Sequence, residues 1–257
     1  MTTRPLVQRK RRTKLHLILA LQRAEKLHVD IALLNKTRNT MKRVEYLLTE
    51  KKHVIWDWNG TLLNDVEVAS HTINGLLLEH GLAPLNLDAY RKTFGFPVRD
   101  FYTRIGFDFV KHDWELIARD FAARFYEGLN ECLLHEGARE LLEALKTENR
   151  MQSILSASHE PELLRLLKLY DLHHLFDHVY GLSDHYAGSK LERGRELLHH
   201  SGIPTSETIL IGDTDHDLLV GQALSVDVLL LAHGHQDYER LIQMHDKVIE
   251  LSPRQKV

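Results

Sequence analysis

The chain has 257 residues, 43% hydrophobic and 27% charged, the balance of a soluble globular protein with room for one large or two small domains. A single cysteine, Cys132, excludes an internal disulfide and suits a reducing, cytoplasmic setting, and no apolar run reaches the length of a membrane span. The net charge of −3 hides an asymmetry: residues 1–52 carry 14 Lys/Arg against 4 Asp/Glu and the remainder 19 against 32, which marks the N-terminal segment as an appendage with its own partner.

Residues 1–14 hold six basic residues and no acid, a composition expected to stay disordered. From 15 to 48, Leu17, Ala20, Ala24, Leu27, Ile31, Leu34, Met41 and Leu48 share one stripe, interrupted by Arg38 and Glu45, and predict one or two helices. Such a stripe has to be covered. Docking on the protein's own core or self-association is the plainer expectation. A protein partner, nucleic acid or an anionic membrane is the alternative, since basic patches bind polyanions without further specificity. The start is faintly like a targeting peptide, but its apolar run, 15–21, is short and no convincing cleavage site follows, so it is read as uncleaved.

Near residue 52 the pattern changes. Val54, Ile55 and Trp56 predict a buried strand that runs into Asp57 and then breaks at Gly60 and Thr61. Open α/β sheets bind ligands at the carboxyl ends of their strands, so Asp57 stands where chemistry is usually done. A carboxylate there can attack a phosphoryl group or bind a hard cation; it can equally cap the next helix. In residues 65–80, Val66, Ala69, Ile73, Leu76 and Leu77 line one side of a predicted helix that Gly81 stops. Residues 87–106 gather Tyr90, Phe94, Phe96 and Phe101 around Gly95 and Pro97, and 114–130 predict another helix. No strand signal interrupts 65–135.

The second half alternates. Helices are predicted at 137–146, 160–170, 191–200 and 217–224, and strands at 151–156, 178–182, 208–211 and 226–231. That alternation implies an α/β fold, a Rossmann-like, mainly parallel sheet with helices on both faces. Ser156 ends one strand among small hydroxyls, Lys190 opens a helix after Gly188-Ser189, and Asp213, Asp215 and Asp217 follow another strand. Each has a plain alternative: Ser156 as a turn former, Lys190 as an exposed helix residue, the acids as helix N-terminal charges. The 18 histidines are scattered, with no zinc-site spacing.

Taken together and in order, Asp57, Ser156, Lys190 and the pair Asp213 and Asp217 resemble the motifs of the haloacid dehalogenase superfamily, in its phosphoglycolate-phosphatase-like branch. The resemblance implies a hydrolase core of residues 52–64 and 136–257, a helical cap of 65–135 that closes over the site, and a basic N-terminal extension of 1–51. It implies phosphoryl transfer from a small phosphorylated metabolite to Asp57, then hydrolysis of the aspartyl-phosphate. Mg²⁺ would be held by Asp57, Asp213, the backbone carbonyl of Asn59 and, directly or through water, Asp217. Ser156 would bond a phosphoryl oxygen, Lys190 would offset negative charge, and the Thr61 hydroxyl would orient the loop. Backbone amides of residues 58–61 and of Ala157 would complete a phosphate cradle.

One position departs from that pattern. The family's phosphatases carry a second Asp two residues after the nucleophile as general acid and base, and this chain has Asn59 there. Asn cannot carry the proton, and losing a general acid typically costs about 10²–10⁴-fold in rate. A substrate with a good leaving group, another proton carrier, or a weak site would each accommodate it. The last makes the chain a binding or scaffold protein working through its basic helices. A phosphonate-type carbon–phosphorus hydrolase would instead need a cap lysine for a Schiff base, with Lys92 and Lys111 as candidates. Arg91, Arg99 and Arg104 could bind a second anionic group of the substrate or be solvated helix charges. Phe94 and Phe96 read more readily as cap core than as substrate contacts, and Gly234-His235-Gln236 could also reach the site.

Overall fold

The computed structural model describes residues 40–182 and 190–250. The basic start, most of the 15–48 stripe with its expected self-association, and Gly188-Ser189 lie outside the described residues.

Strands β1 (His53–Trp56), β4 (Met151–His159), β5 (His178–Leu182), β6 (Thr208–Gly212), β7 (Asp227–Ala232) and β8 (Val248–Glu250) form one parallel sheet in the order β5-β4-β1-β6-β7-β8. Successive side chains on a strand point to opposite faces, and both faces here are apolar. Val54 and Trp56 join Ile154, Ile209 and Ile211 in a core shared with Leu141, Leu142 and Leu145 of α6 (Ala138–Thr147) and with Leu163, Leu166 and Leu167 of α7 (Glu160–Leu169). Ile55, Leu155 and Leu210 face the other way, onto Leu197 of α8 (Lys190–Ser201) and Val220 and Leu224 of α9 (Asp215–Leu224). The α/β, Rossmann-like expectation holds.

Between β1 and α6 the chain leaves the sheet for a helical insertion, made of α2 (Val66–Glu79), α3 (Leu87–Thr93), α4 (Val98–Arg104) and α5 (Trp114–Gly128). The five residues predicted to line one side of α2 are all buried, against Tyr90, Phe101, Tyr102, Phe107 and Ile117. This separate aromatic core lets the insertion hold its own shape. Side-chain caps set two of its helix starts: Asn86 accepts from the Ala89 amide, and Asp113 from those of Glu115 and Leu116.

Three features differ from the sequence pattern. Leu63–Asn64 (β2) and Leu133–Leu134 (β3) pair antiparallel at the neck of the insertion, where strands of two residues leave no periodicity to read. β8, at three residues, is likewise too short to show a periodicity. The core also begins before the expected boundary at 51–52: Val44, in α1 (Thr40–Leu47), and Leu48 after it are fully buried with the sheet, and Arg43 donates to the Glu250 carbonyl at 3.0 Å. No helix among the described residues is long and apolar enough to cross a membrane.

Candidate active site

β1 lies between β4 and β6, so the order of the sheet reverses around it and a crevice opens beyond its carboxyl end. Asp57 emerges there, its amide still bonded to the Ile211 carbonyl at 2.8 Å, and Asp213 emerges beside it from β6. Asp217 comes up from the first turn of α9, and Lys190 from the first residue of α8. Carboxylate oxygens of Asp57, Asp213 and Asp217 lie within 4.8 Å of one another. Lys190 Nζ donates to Asp57 Oδ1 and to Asp217 Oδ1, both at 2.6 Å.

The remaining bonds fix each carboxylate. Thr61 Oγ1 donates to Asp213 Oδ1 at 3.1 Å, and the His235 amide to Asp213 Oδ2 at 2.6 Å. Asp217 Oδ2 accepts from the Thr214 hydroxyl at 2.7 Å and the Thr214 amide at 3.1 Å, closing the N-terminus of α9. Asp213 and Asp217 are 0% and 1% exposed, whereas Asp57 keeps 7%, so Asp57 is the least buried member of the trio.

One lysine does not balance three buried acids. Burial, then the neighbouring charges of Asp217 and Asp213, push Asp57 up to about 8 against the pull of Lys190. Burial, with repulsion from Asp217, likewise pushes Asp213 up to about 7. Asp217 stays below the ordinary carboxylate range despite its burial, because Lys190 and the Thr214 hydroxyl favour its charge. Lys190 is held above the ordinary lysine value, the two carboxylates outweighing its desolvation.

The loop after Asp57 is clamped from below. Gly60 has φ of +72°, and a Cβ there would overlap Asp213 Oδ2 and the His235 ring. His135 Nε2 contacts the Gly60 carbonyl and His233 Nε2 the Thr61 carbonyl, each at 3.1 Å. A carbonyl only accepts, so each imidazole carries its proton on Nε2. The two rings stack at 3.7 Å, and burial pushes His135 down to about 4 and His233 well below the ordinary histidine value. A stacked pair of neutral imidazoles thus holds the loop without adding charge. Gly234 also lies against Asp213, where a Cβ would overlap its carboxylate. Gly234→Ala is therefore expected to lower stability by about 1–3 kcal/mol, the usual range for overpacking, as a drop in the thermal melt.

Of the residues singled out in the sequence, Asp57, Thr61, Lys190, Asp213 and Asp217 meet directly. Asn59 flanks them, bonded to Asp65 and Ser158. Ser156 is buried on β4, where a register shift follows Leu155, and its hydroxyl accepts from the Ser158 amide at 3.1 Å. Among the described residues, Ser156 has no hydrogen bond to the acidic cluster. Asp65, Ser158, His135 and His233 were missed. Asp65 reads in sequence as an ordinary first residue of a helix, and contacts across the loop leave no spacing to detect.

The other candidates in the insertion are used structurally. Arg91 Nε donates to the Gly234 carbonyl at 3.0 Å, Arg104 donates to the Thr93 carbonyl, and Arg99 lies over the Phe109 ring at 5.2 Å. Phe94 packs on the aromatic core, while Phe96 stacks on His216 at 4.4 Å, next to Asp217. Lys92 and Lys111 are exposed, Lys111 paired with Asp108 at 3.2 Å, so neither is the buried amine a Schiff base needs. Gly234-His235-Gln236 does reach the site, through the His235 amide.

Comparison with known proteins agrees with this arrangement. The haloacid dehalogenase-like hydrolase family matches residues 54–231, more than half of the chain. The chain belongs to this family. Among curated relatives of this haloacid dehalogenase-like hydrolase, a phosphoglycolate phosphatase of Psychrobacter arcticus is 24% identical, the match covering 75% of this chain and 89% of that one. A 5'-nucleotidase of Pseudomonas aeruginosa is 26% identical, over 74% of this chain and 86% of that one. A solved haloacid dehalogenase-like family protein from Streptococcus pneumoniae shares the fold, with a TM-score of 0.68 at 21% identity over 80% of this chain and 96% of that one.

Proposed function

We propose that this hydrolase is a Mg²⁺-dependent, cytoplasmic phosphohydrolase of small phosphorylated metabolites, working through an aspartyl-phosphate at Asp57. The clustering of three buried carboxylates, two of them bonded to a single lysine, carries the reading. Such a set of hard oxygens, short of positive charge, fits a small divalent cation. Asp57, Asp213, Asp217 and the carbonyl of Asn59 would hold it. When bound, the ion would relieve repulsion between the acids and an anionic substrate.

The chain's own residues do the rest. Asp57, the least buried member of the trio, is the nucleophile. Lys190, bonded to Asp57 and Asp217, offsets charge that builds up on the phosphoryl group. Thr61 and the His235 amide hold Asp213 in place, and the His135–His233 pair holds the carbonyls of the Asp57 loop. The helical insertion acts as the cap that keeps water from the reacting atoms, its Tyr90 hydroxyl meeting His235 at 2.8 Å.

Phosphate release from a panel of esters, acyl phosphates and pyrophosphate tests the reading, with Mg²⁺ and with a chelator. Release that needs Mg²⁺ is expected, together with a rise in melting temperature on adding the ion. Stabilisation by a ligand at a hundredfold excess over its Kd is about 2.7 kcal/mol. Because protons compete for Asp57 and Asp213, the apparent affinity for Mg²⁺ should increase as pH rises through about 7 to 8. A chain that releases no phosphate from any compound, and whose melt ignores Mg²⁺, is not this enzyme.

A further inference from the structure

Asn59 is held at both ends. Its Nδ2 donates to Asp65 Oδ2 at 2.8 Å, and its Oδ1 accepts from Ser158 Oγ at 2.5 Å. Chemistry fixes this orientation, because a carboxylate offers no proton to an amide oxygen. Asp65 Oδ1 accepts the Gly60 amide at 2.6 Å, and His235 Nε2 stands 3.5 Å from Asp65 Oδ2. Asp65 is 0% exposed, so it acts through Asn59 and Gly60 and not on a substrate.

We infer that Asp65 is a positioning residue of the nucleophile loop, that it requires Asn and not Asp at position 59, and that the site is thereby built for acyl phosphates and phosphoanhydrides. The inference rests on the phosphohydrolase reading above. An Asp at 59 would set its carboxylate against that of the fully buried Asp65 and keep only the Ser158 donor. The amide that stands there has no acidic proton to transfer, whatever bonds it makes. In the first step an Asp57 oxygen forms a bond to phosphorus, the bond from phosphorus to the leaving oxygen breaks, and the electron pair departs on that oxygen. A carboxylate or phosphate leaving group is stable as that anion at neutral pH, whereas an alkoxide needs a proton. In the second step a water oxygen bonds to phosphorus, and the bond to Asp57 breaks with its electron pair returning to the carboxylate. Both protons of the water leave on dihydrogen phosphate.

The test compares wild type, Asn59→Asp, Asp65→Asn and the double exchange, each with Mg²⁺. The substrates are acetyl phosphate, pyrophosphate, p-nitrophenyl phosphate and simple alkyl phosphates, and melts are recorded in parallel. Wild-type kcat/KM should fall from acetyl phosphate to the alkyl esters by on the order of 10²-fold or more, the usual worth of a general acid. Asn59→Asp should lose activity on every substrate and melt several degrees lower. In the double exchange the bond between the two side chains reforms with donor and acceptor reversed, and Gly60 still finds an acceptor. That variant should regain the melt and gain most on the alkyl esters, flattening the dependence on leaving group. Alkyl esters turned over by wild type as fast as acetyl phosphate would overturn the inference alone. So would Asn59→Asp with an unchanged melt. No release from any substrate by wild type would overturn the phosphohydrolase reading and this inference with it.

Discussion

Asp57→Asn is expected to abolish phosphate release and yet to raise the melting temperature of the metal-free protein. The loss of a nucleophile that acts in concert with its neighbours costs on the order of 10⁴-fold or more in rate. The gain in stability follows from the environment of Asp57. Burial, with Asp217 and Asp213 nearby, lifts it from an ordinary 3.8 to about 8 in the folded chain. The unfolded chain therefore ionises this group at lower pH than the folded one does. Stability contributed by the protonated form is present below about pH 4 and is lost as pH rises toward about 8. Asn has the same shape and no charge to strand. Lys190 keeps its bond to Asp217 at 2.6 Å in the variant, so no cation is left unpaired. Melts in chelator at about pH 5 and about pH 8 measure this, since a proton lost between those values is a stability difference. The variant should exceed wild type at the higher pH and approach it at the lower. Saturating Mg²⁺ should narrow or reverse the gap, because it favours the ionised trio of wild type. A variant less stable than wild type in chelator at the higher pH would mean that the Asp57–Lys190 attraction outweighs burial.

The parts of this protein that were legible from sequence are those with periodicity or with punctuation. Val54, Ile55 and Trp56 form a run that both faces of a parallel sheet require, and each of the three is fully buried. Val66, Ala69, Ile73, Leu76 and Leu77 mark one helical face, and the insertion's core is built on it. Asp57, Asp213 and Asp217 stand at strand ends, where topology alone brings them together. The missed residues share a different trait: they meet through loops. His135 lies just before α6 and His233 just after β7, far apart in the chain, and only the path of the Asp57 loop stacks them. Ser158 reaches Asn59 through an irregular stretch of β4, where register with β5 shifts between Leu155 and His159. Asp65 carries no distinguishing spacing at all. Its role follows from the half-buried Asn59, whose amide gives a proton to the Asp65 carboxylate.

Lys190→Met should be the most destabilising single change in the site. Removing one partner of a buried ion pair typically costs about 3–5 kcal/mol, because the charge left behind is neither solvated nor matched. Here two partners are left, Asp57 and Asp217, with Asp213 beside them. At about 2–4 °C per kcal/mol for a chain near this size, the melt should fall by roughly 10 °C. Met fills much of the volume, so the loss reports charge more than packing. Its pH dependence makes the distinction. Without Lys190 all three carboxylates prefer to be protonated, and the variant's deficit should grow as pH rises above the ordinary carboxylate range. A deficit equal at low and high pH would point to a misplaced α8 instead. The partner substitution supplies a second check. Since Asp57→Asn removes one of the stranded charges, the double variant should recover part of the melt lost in Lys190→Met alone, and the shortfall from additivity measures the coupling. Added Mg²⁺ should restore Lys190→Met more than it raises wild type, because in the variant Asp57 and Asp217 have lost the cation they are bonded to. Restored stability would still leave phosphate release low, since the charge on the transferring group would have lost its lysine.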